Sequence, residues 1–186
     1  MKEYRIAIIG QIAKWKGQDV FIKAAKLLHL NFPKVKFFII GDVLFNKVED
    51  LLYKNQLLEL AINCKFIEFL GHRNDVRELI QNMDVIVHAS IREEPFGRVI
   101  IEGMAAKKPV IASGIGGPIE IIEDGVNGML YKPGDEKDLA KSIESLLSND
   151  VLYNELSNEG YHNFINHFEI HRTVSEVEHV ILKTLN

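Results

Sequence analysis

The feature that most constrains this chain is an alternation. Short runs of β-branched, aliphatic and aromatic residues, nearly free of polar interruption, take turns with segments whose apolar residues recur three and four apart. Residues 4–9, 35–40, 66–70, 85–89, 110–112 and 128–131 form the short runs and predict strands. Between them, 18–30, 45–62, 76–82, 97–107 and 135–147 carry helical spacing. Phe21, Ala24, Ala25 and Leu28 mark the first of these faces, and Leu139, Ile143, Leu146 and Leu147 the last. Strands that are apolar on both sides cannot border water, so the pattern predicts an α/β fold: a parallel sheet of about six strands with helices on both faces. Beyond residue 147 the pattern changes. Leu152, Leu156, Phe164 and Phe168, then Ile170, Val174, Val177 and Ile181, predict two closing helices and no further strand. No repeat, low-complexity tract or linker divides residues 1–186, so one domain is expected.

Composition narrows the class of partner. A chain of 186 residues suffices for one well-buried domain. A net charge of -4 and a pI near 6.0 give no electrostatic reason for a nucleic-acid partner. Cys64 stands alone and cannot form an internal disulfide, so a reducing compartment is the simpler reading. No apolar run approaches the ~20 residues of a membrane span, and MKEYR is not a secretion signal. The expected location is the cytoplasm, or the membrane periphery by way of a further domain.

In a parallel α/β sheet, ligands bind outside the carboxyl ends of the strands, so the loops after each strand carry the functional information. The first, 10–17 (GQIAKWKG), follows a strand and opens a helix, where free amides and the helix dipole favour an anion. It is neither a Walker loop nor GxGxxG. Lys16 beside Gly17 either meets a phosphate or is a solvated lysine at a helix start. The second, 93–107 (EEPFGRVIIEGMAAK), leads through Pro95 and Gly97 into a segment that is apolar apart from Glu102. A helix apolar all round is buried, and a buried carboxylate requires a partner. Glu102 is therefore expected to be satisfied by a ribose diol, a lysine or a backbone amide. Glu94, a loop glutamate before proline, is expected to be solvated. The third, 113–120 (SGIGGPIE), holds three glycines. They allow close approach of backbone to ligand, or a tight turn with Glu120 near a helix start.

Together these loops resemble the C-terminal domain of the large retaining glycosyltransferase family four, one Rossmann-like half of the GT-B fold. The strongest part is a Glu–seven residues–Glu element, Glu94 and Glu102, within EEPFGRVIIEGMAAKKPVIAS. Residues 71–90 (GHRNDVRELIQNMDVIVHAS) and 116–143 also resemble the family, and the similarity runs to about residue 147. It implies a nucleotide diphosphate-sugar donor lying along the loop ends. Glu102 matches the glutamate that binds ribose hydroxyls, and Glu94 the one near the transferred sugar. Lys16 matches the lysine that neutralises the diphosphate, with Gly10 and Gln11 in the same loop. Backbone amides at Phe96, Gly97, Arg98 and Val99 match those on sugar and diphosphate. His72 and Arg73 resemble the segment flanking the base. Glu94 and Lys16 are thus the expected catalytic pair. No Asp-x-Asp pair is present and the family generally needs no metal, so neither metal nor cofactor is expected.

Two departures stand out. Gln11 occupies a position where family members usually carry arginine, and glutamine supplies neither charge nor a bidentate fork. The acceptor-binding N-terminal half is the other, expected in cis or on a separate chain. Without it, this chain is expected to bind donor but not to complete transfer. Two rivals are a non-catalytic module that keeps the fold for regulation or assembly, and another GT-B enzyme such as a sugar-nucleotide epimerase. The Glu94/Glu102 element speaks against the second.

Overall fold

The computed structural model describes residues 3–170 together with Val174 and Lys183. Six strands form one sheet: β1 (Arg5–Ile9), β2 (Lys36–Ile40), β3 (Ile67–Gly71), β4 (Val85–His88), β5 (Val110–Ser113) and β6 (Met129–Tyr131). Their order is β3-β2-β1-β4-β5-β6, and every neighbouring pair is parallel. This is the expected Rossmann-like α/β sheet. Apolar side chains of one strand divide between two cores, as strand geometry requires. Ile6, Ile8, Phe37 and Ile39 enter the first, under α1 (Gln18–His29), α2 (Val48–Leu60) and α6 (Glu136–Leu147). Ala7, Phe38, Ile40 and Ile86 enter the second, under α3 (Val76–Gln81), α4 (Arg98–Ala105) and α5 (Pro118–Ile121). Continuous apolar runs are the sequence image of this two-sided burial.

The chain reverses its direction of travel across the sheet between β1 and β4. After β1 it builds β2 and β3 on one side; it then returns to lay β4, β5 and β6 on the other. Loops after β1 and β4 therefore diverge and leave a crevice at the strand ends, the place where doubly wound sheets hold ligands.

Several helix boundaries differ from the sequence pattern, and at α2 and α4 the reason lies in the backbone. α2 starts at Val48, not at residue 45, because Phe45 and Asn46 adopt φ of +58° and +48°. α4 is shorter than 97–107 because Gly97 and Lys107, at φ +74° and +54°, are both left-handed. The tail forms α7 (Asp150–His167), whose first turn is capped by Asn149 accepting from the amides of Val151 and Leu152 at 3.1 Å. Leu156 of α7 belongs to the first core while Phe164 packs on the second, so this helix closes the molecule across both. The second closing helix, with Val177 and Ile181, lies outside the described residues. No helix among the described residues is long and apolar enough to cross a membrane.

Candidate functional site

The loop after β1 turns through a single 3-10 turn, Lys14–Lys16, into α1. Gly17 makes that path available. Its φ is +69°, and a Cβ placed there would stand 2.0 Å from the carbonyl oxygen of Ala89. Only glycine fits so close a contact with the end of β4. A second tie follows directly, the Ile91 amide donating to the Trp15 carbonyl at 2.8 Å. These contacts bring Lys16 over the loop that carries Glu94.

Glu94 is the centre of the site. It lies between exposed neighbours, Glu93 and Pro95, yet is itself only 9% exposed. The expectation of a solvated glutamate is thereby corrected: contacts with His88 at the end of β4 and with the third loop turn this side chain inward. One carboxylate oxygen, Oε1, meets Nε2 of His88 and accepts from Ser90 Oγ at 3.1 Å. The other, Oε2, is ion-paired with the ammonium of Lys16. That ammonium also stands 4.2 Å from the centroid of the Trp15 ring. His88 ends β4 and is 3% exposed. Burial pushes its imidazole down to about 4; the Glu94 carboxylate opposes this shift and Lys16 adds to it.

Two glycines of the third loop, Gly116 and Gly117, let its backbone approach that of the second. The Gly117 amide donates to the Glu94 carbonyl at 2.8 Å. A Cβ at Gly117 would come within 2.5 Å of the Pro95 carbonyl oxygen. The absence of side chains here lets the third loop press against the second and hold Glu94 in place.

Glu102 is the second correction. It is exposed, and Ile100, Gly103 and Met104 form the buried face of α4. At about 100° per residue, positions 100, 103 and 104 share one side of the helix while 102 looks away from it. The apolar composition of this segment overstated its burial.

A cleft of about 630 Å³ opens at the crevice between these loops. Gly10, Gln11 and Lys16 line it from the first loop, and Glu94, Phe96, Gly97, Arg98, Val99 and Glu102 from the second. His72 and Arg73, after β3, line its other end. Every site residue expected from the sequence is thus at one cleft. No side chain caps the start of α4; the Ile100 amide donates to the Gly97 carbonyl at 2.9 Å, and Arg98 and Val99, ahead of it in the first turn, line the cleft. Gln11 points towards α2, its Nε2 3.5 Å from Asp50 Oδ2. Asp42, also lining the cleft, receives Lys54 Nζ at 2.7 Å, and that ammonium holds its carboxyl below the usual carboxylate range. Among the described residues, no group of three or more His, Cys, Asp or Glu side chains is gathered as a metal would need.

His88, Ser90 and Trp15 were not singled out by the sequence. His88 sits inside an apolar strand run, where a lone histidine reads as core; Trp15 in the first loop was the one visible signal.

A sheet of this order, with a cleft at its switch point walled by a cation, two glutamates and an uncapped helix start, defines a doubly wound α/β domain with its candidate site at the strand ends. The model of the family described as glycosyl transferases group 1 matches residues 1–163, and the chain belongs to this family. It is 36% identical over 155 residues to the uncharacterized glycosyltransferase MJ1178 of Methanocaldococcus jannaschii, a match covering 82% of this chain and 40% of that protein. Anabaena HepE, solved in complex with UDP-glucose, superposes with a TM-score of 0.88 at 28% identity, over 97% of this chain and 49% of HepE. The C-terminal domain of the group 1 glycosyl transferase LpcC from Francisella tularensis superposes with a TM-score of 0.81 at 32% identity, covering 90% of this chain and 87% of that one. The fold is therefore that of a GT-B glycosyltransferase domain, and the chain spans less than half the length of the curated relatives it matches, 40% for MJ1178 and 44% for a capsular polysaccharide biosynthesis glycosyltransferase of Staphylococcus aureus.

Proposed function

We propose that this chain is the donor-binding half of a retaining glycosyltransferase, of hexosyltransferase type, that takes a nucleotide diphosphate-sugar as donor. The observation that carries this reading is the Lys16–Glu94 pair on the cleft wall, beside the uncapped start of α4. HepE, which shares this fold, holds UDP-glucose, and that supports the ligand class.

The roles follow from charge and position. A departing nucleotide diphosphate gathers negative charge, and donors already fixed in a cleft stabilise it without reorganising. Lys16 supplies a full charge, and the amides of Gly97, Arg98 and Val99 supply the dipole of α4. Cationic side chains and a helix start take the part that a divalent ion plays elsewhere. Glu94 reaches hydroxyls of the sugar, Glu102 the ribose diol, and the His72–Arg73 segment flanks the base. Donor binding exchanges the Lys16–Glu94 ion pair for phosphate on the lysine and sugar on the carboxylate. The acceptor comes from an N-terminal GT-B half, in cis or on a partner chain, in the cytoplasm or at the membrane periphery.

Isothermal titration with UDP, ADP and GDP, each against its nucleoside, tests the reading. One diphosphate is expected to bind more tightly than its nucleoside. Lys16→Ala should shrink that advantage by about 10-fold, the worth of one charge-assisted contact. If no diphosphate binds better than its nucleoside, the site is not a donor site, and the chain is a non-catalytic module.

A further inference from the structure

Glu94 has its two carboxylate oxygens in different surroundings. Oε2 meets Lys16, whose side chain retains 22% exposure at the cleft. Oε1 is turned inward to His88 and Ser90, both buried, with Ser90 Oγ 3.2 Å from His88 Nε2. Behind the imidazole, Ser113 at the end of β5 brings its Oγ to 3.4 Å from Nδ1. β4 and β5 are adjacent, with His88 opposite Ala112, so the last side chains of two central strands support the carboxylate from below.

The chemistry of these atoms sets the direction of the hydrogen bonds. A carboxylate can only accept, so the proton on the neutral ring sits on Nε2 and is donated to Oε1. Nδ1 is then an acceptor, and Ser113 donates to it. Gly97 lies over the same ring edge: a Cβ placed there would stand 3.6 Å from Nε2. Both strand positions are rigid, which is what a support for a functional group requires.

We propose that His88 is a positioning residue for donor recognition: oriented by Ser113, it pins Oε1 of Glu94 so that Oε2 alone is presented to the sugar. The proposal rests on the reading of Glu94 as the sugar-facing glutamate. It assigns His88 no contact with the donor. Removing it frees the carboxylate to rotate or to close fully on Lys16, and the sugar loses its acceptor while the nucleotide keeps its own contacts.

The test titrates the 186-residue chain with UDP and with UDP-glucose, in wild type, His88→Leu and His88→Gln. Leucine fills the space without a donor, while glutamine returns an N–H near the position of Nε2. The readout is the ratio of the Kd for UDP-glucose to the Kd for UDP. His88→Leu is expected to raise it about 10-fold, the loss of one hydrogen bond to a charged group. His88→Gln should restore most of the wild-type ratio. Ser113→Ala, milder and less disruptive of packing, should move the ratio in the same direction by a smaller factor, and it replaces His88→Leu if that variant does not fold. A ratio unchanged by these substitutions, or a weakening shared equally by UDP and UDP-glucose, or equal effects of leucine and glutamine, overturns the proposal. If wild type binds neither probe, the same ratio is read with whichever of ADP or GDP binds and its glucose conjugate; if no diphosphate binds, the donor-site reading itself falls and takes this inference with it.

Discussion

At the scale of single residues, the site turns on which of two glutamates is buried. Glu94 is enclosed and Glu102 is exposed, the reverse of what their local sequence implies. Glu102→Gln should therefore leave the melting temperature unchanged while weakening nucleotide binding about 10-fold or more, since the charge serves only the ligand. Calorimetry showing full affinity would remove Glu102 from the site. Gln11 makes a subtler prediction. An arginine there would meet the Asp50 carboxylate, which already lies 3.5 Å from the glutamine amide, before it met a phosphate. Gln11→Arg alone should change diphosphate affinity little, whereas Gln11→Arg with Asp50→Asn should tighten UDP binding and leave uridine unaffected. The gain should fade with added salt, because partly exposed charges are screened over ~8–10 Å. A double variant no better than the single one would show that the first loop does not face phosphate. His88 adds a pH dependence. The groups facing it are the carboxylate of Glu94, the ammonium of Lys16 and the hydroxyls of Ser90 and Ser113. Its folded pKa of about 4 lies below its ordinary value of 6.5, so between those values the unfolded chain binds more protons. Stability from this group is whole above pH 6.5, falls as the pH drops towards 4, and is not lost further below that. His88→Gln, which cannot titrate, should flatten the fall of melting temperature across that window; superimposed slopes would contradict it.

At the scale of elements, loops after three different strands converge because glycine lets backbones touch. Gly17 abuts Ala89, and Gly117 abuts Pro95. Gly17→Ala combines a left-handed φ of +69° with a Cβ 2.0 Å from a carbonyl oxygen, so relief requires the first loop to move away from β4. A loss of at least ~1–3 kcal/mol is expected, the cost of a strained backbone with the clash added. Lys16 should move with the loop, and UDP affinity should fall further than the stability change explains. A variant of native affinity would show that Lys16 does not depend on this contact. Strands and the switch-point crevice were legible in the sequence because two-sided burial writes continuous apolar runs, and topology then places the site at their ends. That is why the loops holding Gly10, Lys16 and Glu102, far apart in the chain, could be assigned to one cleft, whereas His72 was reached only through the family resemblance. Glu94's enclosure was not legible. It depends on Lys16, His88 and Gly117 arriving from three separate segments, and no local pattern records their meeting. The start of α2 was lost for a similar reason: Phe45 and Asn46 look helical by composition, yet both adopt the left-handed region.

At the scale of the whole molecule, the chain carries one cleft wall, built from the loops after β1, β3 and β4, and covers 40% of MJ1178 and 49% of HepE. We expect it to bind a nucleoside diphosphate and, alone, to transfer no sugar; robust transfer by the purified chain would refute the need for a second half. The central claim is that the diphosphate lies between Lys16 and the start of α4. Amide shifts recorded by nuclear magnetic resonance during titration with UDP, and separately with uridine, test it most directly. The amides of Lys16, Gly97, Arg98 and Val99 should move strongly with UDP and little with uridine, while those after β3, at His72 and Arg73, move with both. Shifts at Gly97–Val99 that are the same for the two ligands, or absent with UDP while other regions respond, would contradict the account.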